Sequence, residues 1–182
     1  KILFIMDPLE HLDTRWDNSL ALAREFDQRG IQCWTADSPQ VHLEKGKVWV
    51  HAKQLTVHQN RTLKTTAARD CPIRAFDLAL LRKEPPFHMG YYALTLILEH
   101  VPIPVMNDPR AIRNANEKMW GLRFRGLMPE TLISASPHEL LRFGKQFKEG
   151  FVIKPLNQKG GRGVFKVDRV TAAIQKKIEA VS

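Results

Sequence analysis

Residues 1–8 read Lys1-Ile2-Leu3-Phe4-Ile5-Met6-Asp7-Pro8, five apolar side chains in a row that end at once in turn residues. A strand wet on one face alternates apolar and polar side chains, and a surface helix spaces its apolar positions by three and four. A short unbroken run fits neither, and reads as a strand covered on both faces, the condition inside a parallel sheet flanked by helices. Two further stretches share the form. Leu78–Leu81 (LALL) runs into Arg82-Lys83-Glu84-Pro85-Pro86, and residues 103–106 (IPVM) run into Asn107-Asp108-Pro109.

Helical patterns lie between these runs. Ser19, Leu22, Ala23 and Phe26 fall at i, i+3, i+4 and i+7, one apolar stripe, with Asp17 or Asn18 as the cap and Gly30 at the left-handed C-terminal position. Residues 91–99 (YYALTLILE) are apolar almost all round and predict a buried crossover helix. Strands alternating with helices predict an α/β layer architecture with right-handed crossovers. Residues 41–57 interrupt it, because Val41-His42-Leu43 and Val48-Trp49-Val50 flank Glu44-Lys45-Gly46-Lys47 and predict a β-hairpin at the margin of the sheet.

The character changes near Asp108. Asp108-Pro109 suits a helix cap followed by the first helical residue, and residues 111–123 are polar and basic, one helix or two short ones. Residues 130–133 (ETLI) predict a strand. Ser136-Pro137-His138-Glu139 predicts a capping box, with its helix running through Leu140, Leu141 and Phe147. Residues 151–154 (FVIK) and 164–167 (VFKV) predict strands around a glycine-rich loop, and residues 171–181 a last helix. A boundary around residues 110–115 gives two domains, 1–112 and 113–182, the second of about three strands and two helices. That is thin for an independent fold, so the second domain is expected to be incomplete.

The chain of 182 residues is 43% hydrophobic and 26% charged, an ordinary globular composition that excludes a disordered tail or a fibrous repeat. No apolar run approaches the roughly 20 residues of a membrane span, and residues 1–6 meet Asp7-Pro8 too soon to be a signal peptide's apolar region. A soluble, cytoplasmic protein is expected. Two cysteines, Cys33 and Cys71, make neither a disulfide framework nor a zinc site, and read as reduced, partly buried thiols. The histidines form no HxH or HxxxH pair, and the acids do not cluster, which argues against a metal site. Trp16, Trp34, Trp49 and Trp120 read as core or boundary residues. A net charge of +9 favours an anionic partner: a phosphorylated metabolite, an acidic protein surface or nucleic acid.

Three places carry candidate chemistry. Ligands of open α/β sheets bind at the carboxyl ends of the strands, and here those ends bear Asp7, then Arg82 and Lys83, then Asn107 and Asp108. Arg82 can hold a carboxylate through two parallel hydrogen bonds, Lys83 adds a point charge, and Asp7 suits an ammonium group. Solvated loop charges are the plainer alternative. The second place is Lys154-Pro155-Leu156-Asn157-Gln158-Lys159-Gly160-Gly161-Arg162-Gly163. Its glycines let successive N–H groups face inward and form an anion-binding concavity beside Lys154, Lys159 and Arg162. It is not a Walker loop; the alternatives are a flap over a nucleotide and a simple hairpin turn. The third is Lys118 in Asn116-Glu117-Lys118, which alone would read as a solvated charge.

Taken in order, MDP, WDNSLALAREFDQRG, LRKEPPF, NDPRAIRNANEKMW, PETLIS and FVIKPLNQKGGRG resemble prokaryotic glutathione synthetase, an ATP-grasp ligase family, over residues 2–167. The resemblance implies a Rossmann-like parallel-sheet domain that precedes the ATP-grasp, followed by an incomplete α+β ATP-grasp lobe. It implies that Lys118 and Lys154 contact ATP phosphates and that residues 157–163 form the closing loop, with Asn157, Gly160, Gly161 and Arg162 at the nucleotide. It implies that Arg82 and Lys83, with Asp7 and Ser19, border the peptide substrate. The reaction implied joins glycine to γ-glutamylcysteine: ATP phosphorylates the dipeptide's carboxylate, and the glycine amine displaces phosphate. ATP and magnesium are the implied cofactors, with the metal's ligands in a second lobe this chain does not contain. A homo-oligomer, such as a tetramer, is the implied assembly. Taken alone the chain is expected to bind phosphate weakly and not to catalyse.

Two departures stand out. Lys159 and Arg162 occupy loop positions where the family tends to small or apolar residues, and the second lobe is absent. The competing expectations are a sister ATP-grasp ligase of other specificity, a non-catalytic remnant, and a basic nucleic-acid-binding module; no nucleic-acid motif supports the last.

Overall fold

The structure, a computed structural model, describes residues 1–179. The chain divides into two compact units, Lys1–Asn114 and Ala115–Ser182.

The first unit is built on one mixed sheet. Its elements in chain order are β1 (Ile2–Ile5), α1 (Asn18–Gln28), β2 (Cys33–Ala36), β3 (Val41–Glu44), β4 (Lys47–Val57), β5 (Leu63–Thr65), β6 (Arg69–Pro72), β7 (Leu78–Leu81), α2 (Met89–Leu98), β8 (Val105–Met106) and α3 (Pro109–Asn114). The strands lie in the order β3-β4-β2-β1-β7-β8, and β5 and β6 also pair with β4. β1 runs parallel to both β2 and β7, β7 parallel to β8, and β4 antiparallel to β2.

β1 behaves as its run of five apolar residues requires. Side chains alternate across a strand, so Leu3 and Ile5 enter a core layer with Tyr91, Leu94 and Leu98 of α2, while Ile2, Phe4 and Met6 enter the opposite layer with Leu20 and Ala23 of α1. Both faces are covered, which is why no polar residue interrupts the run. The expected hairpin is β3–β4, its turn made by Lys45 (φ 49°) and Gly46 (φ 72°).

Several expectations change. Asp17 caps α1 by accepting the N–H of Leu20 at 2.9 Å. This sets the helix so that Ser19, Leu20 and Ala23 are buried while Leu22 is exposed, one position off the expected stripe. α2 buries only the face of Tyr91, Leu94, Thr95 and Leu98; Tyr92, Ala93 and Leu96 face solvent. Trp34 is core, but Trp16 is 78% exposed and Trp120 43%. Three strands beyond those expected, β2, β5 and β6, form because β1 and the long β4 offer them partners.

Both cysteines are free and buried. Burial first, and then Asp27, pushes the Cys33 thiol from an ordinary 9.0 up to about 11. Burial, with Asp7 and Glu84, pushes the Tyr91 hydroxyl from 10.0 up to about 12. Both groups therefore hold protons in the folded state that the unfolded chain releases, and their contribution is complete below about pH 9 and lost as pH rises toward 11–12. Urea midpoints measured from pH 8 to 10.5 should fall with rising pH, and fall less in Cys33→Ala.

The second unit holds a 3-10 segment (Trp120–Leu127), α4 (Pro137–Gly144), β9 (Phe151–Ile153), β10 (Phe165–Val167) and α5 (Ala172–Glu179). Ser136 caps α4 by accepting the Glu139 N–H at 3.4 Å. α4 stops at Gly144 instead of reaching Phe147, and the Phe147 ring packs on that of Phe143 at 5.0 Å. Gly144 lies flat against the Phe151 ring, where a Cβ would stand 2.4 Å from it. Gly150 (φ 84°) then makes the turn into β9, so close to Val167 that a Cβ would meet the carbonyl oxygen at 2.4 Å. Residues 130–133 are not a strand, because β9 and β10 pair only with each other among the described residues. Of the helix expected over 171–181, Ala180 and Val181 lie outside the described residues.

Candidate functional site

Because β1, β2, β7 and β8 are parallel, their carboxyl ends share one edge of the first unit. Asp7, Asp37, Arg82 and Lys83, and Asn107 follow those four strands in turn. The Lys83 ammonium pairs with the Asp7 carboxylate, both side chains being largely buried, and the N–H of Glu84 donates to the other Asp7 oxygen at 3.2 Å. The Arg82 Nε donates to the Ser19 hydroxyl at 3.1 Å, which fixes the plane of the guanidinium. The Tyr91 hydroxyl donates to the Lys83 carbonyl at 2.8 Å, and the Asn107 amide to the Leu81 carbonyl at 3.1 Å.

All four residues expected here (Asp7, Ser19, Arg82, Lys83) thus meet at one edge, arranged as two pairs. Asp7 faces Lys83 and does not present an open carboxylate. Asp37 is a further acidic group at this edge that pattern reading passed over. Burial raises its pKa, the Lys53 charge opposes this, and Glu10 and Asp7 add to the rise. Its signal was available: an Asp before Ser38-Pro39, where the backbone N–H of Asp37 is closed by the Gln40 side chain at 2.8 Å. It was missed because β2, which delivers it, was missed.

In the second unit, Asn116 organises the turn that presents Lys118. Its side-chain oxygen accepts the N–H of Lys118 at 3.0 Å and of Met119 at 3.2 Å. The Lys118 ammonium then reaches back to Glu117 Oε1 at 3.1 Å and across to the glycine-rich loop, where it donates to the carbonyls of Leu156, at 3.3 Å, and Gln158. The structure therefore joins two of the three sequence candidates, the Asn116-Glu117-Lys118 turn and the loop. No sequence signal foretold the two carbonyls, since every residue carries one.

The loop itself closes through Arg162 N–H to Lys159 O and Val164 N–H to Gly161 O, each 3.1 Å. Gly160 (φ 60°) and Gly161 (φ 74°) face open space, with nothing within 4 Å of a would-be Cβ. Lys154, Asn157 and Arg162 are exposed. From Ala115 on, the sequence carries eight lysines and five arginines against five glutamates and one aspartate, so this unit holds most of the net charge of +9. Backbone amides and cations around an open loop can take a polyphosphate. Among the described residues no three His, Cys, Asp or Glu side chains group together.

Comparison with known proteins gives the family of the chain. The family described as "Prokaryotic glutathione synthetase, N-terminal domain" matches residues 1–113. The chain belongs to the prokaryotic glutathione synthetase family. That family's ATP-grasp domain matches residues 117–182. Among curated relatives, glutathione synthetase of Gloeobacter violaceus is 34% identical over 99% of this chain and 58% of its own length. That of Mesorhizobium japonicum is 35% identical over 91% of this chain and 54% of its own, and that of Escherichia coli K12 30% identical over 92% and 54%. The chain thus spans little more than half the length of the curated relatives it matches. One solved structure, titled "Structure of ATP-grasp ligase PsnB complexed with precursor peptide PsnA2 and AMPPNP", aligns with 99% of this chain and 61% of its own at 19% identity and a TM-score of 0.48. No helix among the described residues is long and apolar enough to cross a membrane.

Proposed function

We propose that the protein is an ATP-dependent ligase that joins glycine to γ-glutamylcysteine through an acylphosphate. In this reading the Lys1–Asn114 unit binds the peptide and the Ala115–Ser182 unit the nucleotide phosphates. The observation that carries the proposal is the Lys118 ammonium lying against the backbone of the glycine-rich loop, in the unit that holds most of the positive charge. Phosphoryl transfer asks the protein for positioning and charge neutralisation more than for a nucleophile. Lys118, Lys154, Arg162 and the amides around Gly160 and Gly161 supply those things, and Asn157 lies at the loop's entrance. A loop that shuts over the site also keeps water from an acylphosphate.

In the Lys1–Asn114 unit, Arg82, with its Nε on Ser19, suits a substrate carboxylate, and Asp7 and Lys83 pair at the same strand ends. Magnesium, when bound with the nucleotide, would neutralise phosphate charge.

The protein expressed from its natural gene is expected to release phosphate from ATP only when γ-glutamylcysteine and glycine are both present. Release with another acid and amine, and none with this pair, transfers the assignment to a sister ligase. A mobility shift on random duplex DNA that weakens steeply with salt, with no ATP-dependent turnover, replaces it by nucleic-acid binding.

A further inference from the structure

An ammonium group has three N–H donors. In this structure the Lys118 ammonium has three acceptors, the Glu117 carboxylate and the Leu156 and Gln158 carbonyls. Two of the three belong to the loop that, on the function proposed above, covers the nucleotide. Its side chain is only 21% exposed, whereas Lys154, at the root of the same loop, is open to solvent. Two backbone hydrogen bonds internal to residues 159–164, Arg162 N–H to Lys159 O and Val164 N–H to Gly161 O, close the loop on itself.

We propose that Lys118 is a latch as well as a phosphate ligand: without nucleotide it pins the loop at Leu156 and Gln158, and an arriving phosphate releases the loop by taking the ammonium away. The exchange is favourable in kind. Two hydrogen bonds from the ammonium to neutral carbonyls are given up for bonds to anionic oxygens, which are shorter and stronger. Release then leaves a segment with three glycines at positive φ, free to turn its N–H groups toward the ligand. Glu117 stays with the ammonium through the exchange, since it is its sequence neighbour. Asn116 acts through Lys118 as a positioning residue, holding the turn from which both the latched and the released lysine extend. Coupling of this sort is reciprocal, so whatever latching costs phosphate affinity, phosphate binding returns as loop opening.

The proposal rests on the nucleotide reading for its phosphate half, but the latch is testable without any nucleotide. The loop carries its own reporters, Lys159 and Arg162, as trypsin sites. In the ligand-free protein expressed from its natural gene, Lys118→Met is expected to speed cleavage after Lys159 and Arg162 about tenfold, while Glu117→Gln, which spares both carbonyl contacts, changes it less than twofold. Equal cleavage in wild type and Lys118→Met overturns the latch. A second measurement needs no variant: an amine-reactive ester should label Lys154 at least fivefold faster than Lys118 in the folded wild type, and equal labelling overturns the latch as well. Added ATP should raise Lys118 labelling only if the loop gives the lysine up to a ligand that then departs. The cleaner reading is therefore cleavage, in which ATP should remove the difference between wild type and Lys118→Met. If the ligand-free difference is present and ATP alters neither protein, the latch stands and the nucleotide reading fails.

Discussion

Phe4→Ala should unfold the Lys1–Asn114 unit or bring it to the edge of unfolding. Phe4 is fully buried at the centre of β1, paired through the backbone with Thr35 on one side and Leu80 on the other. Its ring packs against Phe26 of α1, with centroids 6.3 Å apart. Truncating a buried phenylalanine removes its transfer free energy and leaves a cavity, together about 3–5 kcal/mol. Against a typical total of about 5–15 kcal/mol that is a large share. β1 cannot slide to fill the space, because its register is fixed on both edges. The measurement is a urea melt followed by Trp34 fluorescence. A loss below about 1 kcal/mol would mean that the two-sided covering of β1 is not what holds this unit together.

Lys154→Met should lower kcat/KM for ATP in the phosphate-release assay by on the order of 10²–10³, the usual effect of removing a donor that stabilises developing charge. Methionine keeps the length and the apolar stem and removes only the ammonium. Lys154 follows β9 directly, so its backbone is held by the pairing of Ile153 with Phe165. Its side chain is exposed at the root of the loop and has no core role to confuse the result. A melting temperature like wild type with a turnover change below threefold would remove Lys154 from the phosphate site.

Much of this was legible from the chain because the strongest patterns report local physics. Five apolar residues before Asp7-Pro8 specify a doubly covered strand whatever surrounds it, and so do residues 78–81. β2, β5 and β6 were not legible because their residues (CWTA, LKT, RDCP) carry no period; they are strands only because β1 and β4 offer unpaired edges. The reverse error at residues 130–133 has the same cause, a strand-like composition with no edge to join. At the site, charged side chains could be picked out by type and position, which located Arg82, Lys83 and Lys118. What each one touches was hidden, because the acceptors are Ser19, a partner 63 residues away, and main-chain carbonyls with no side-chain signature. Asp7 shows the limit plainly: its type suggested an ammonium of the substrate, and the ammonium it meets is that of Lys83.

The position of β1 between β2 and β7 carries a cost during synthesis. Its two neighbours are made well after it, at residues 33–36 and 78–81. The most water-averse strand of the unit therefore emerges from the ribosome with neither flank available, and does not have both until the chain has grown past Leu81. For that interval it is a ready target for a holding chaperone or for a neighbouring nascent chain, and slowing translation between β2 and β7 would lengthen the exposure.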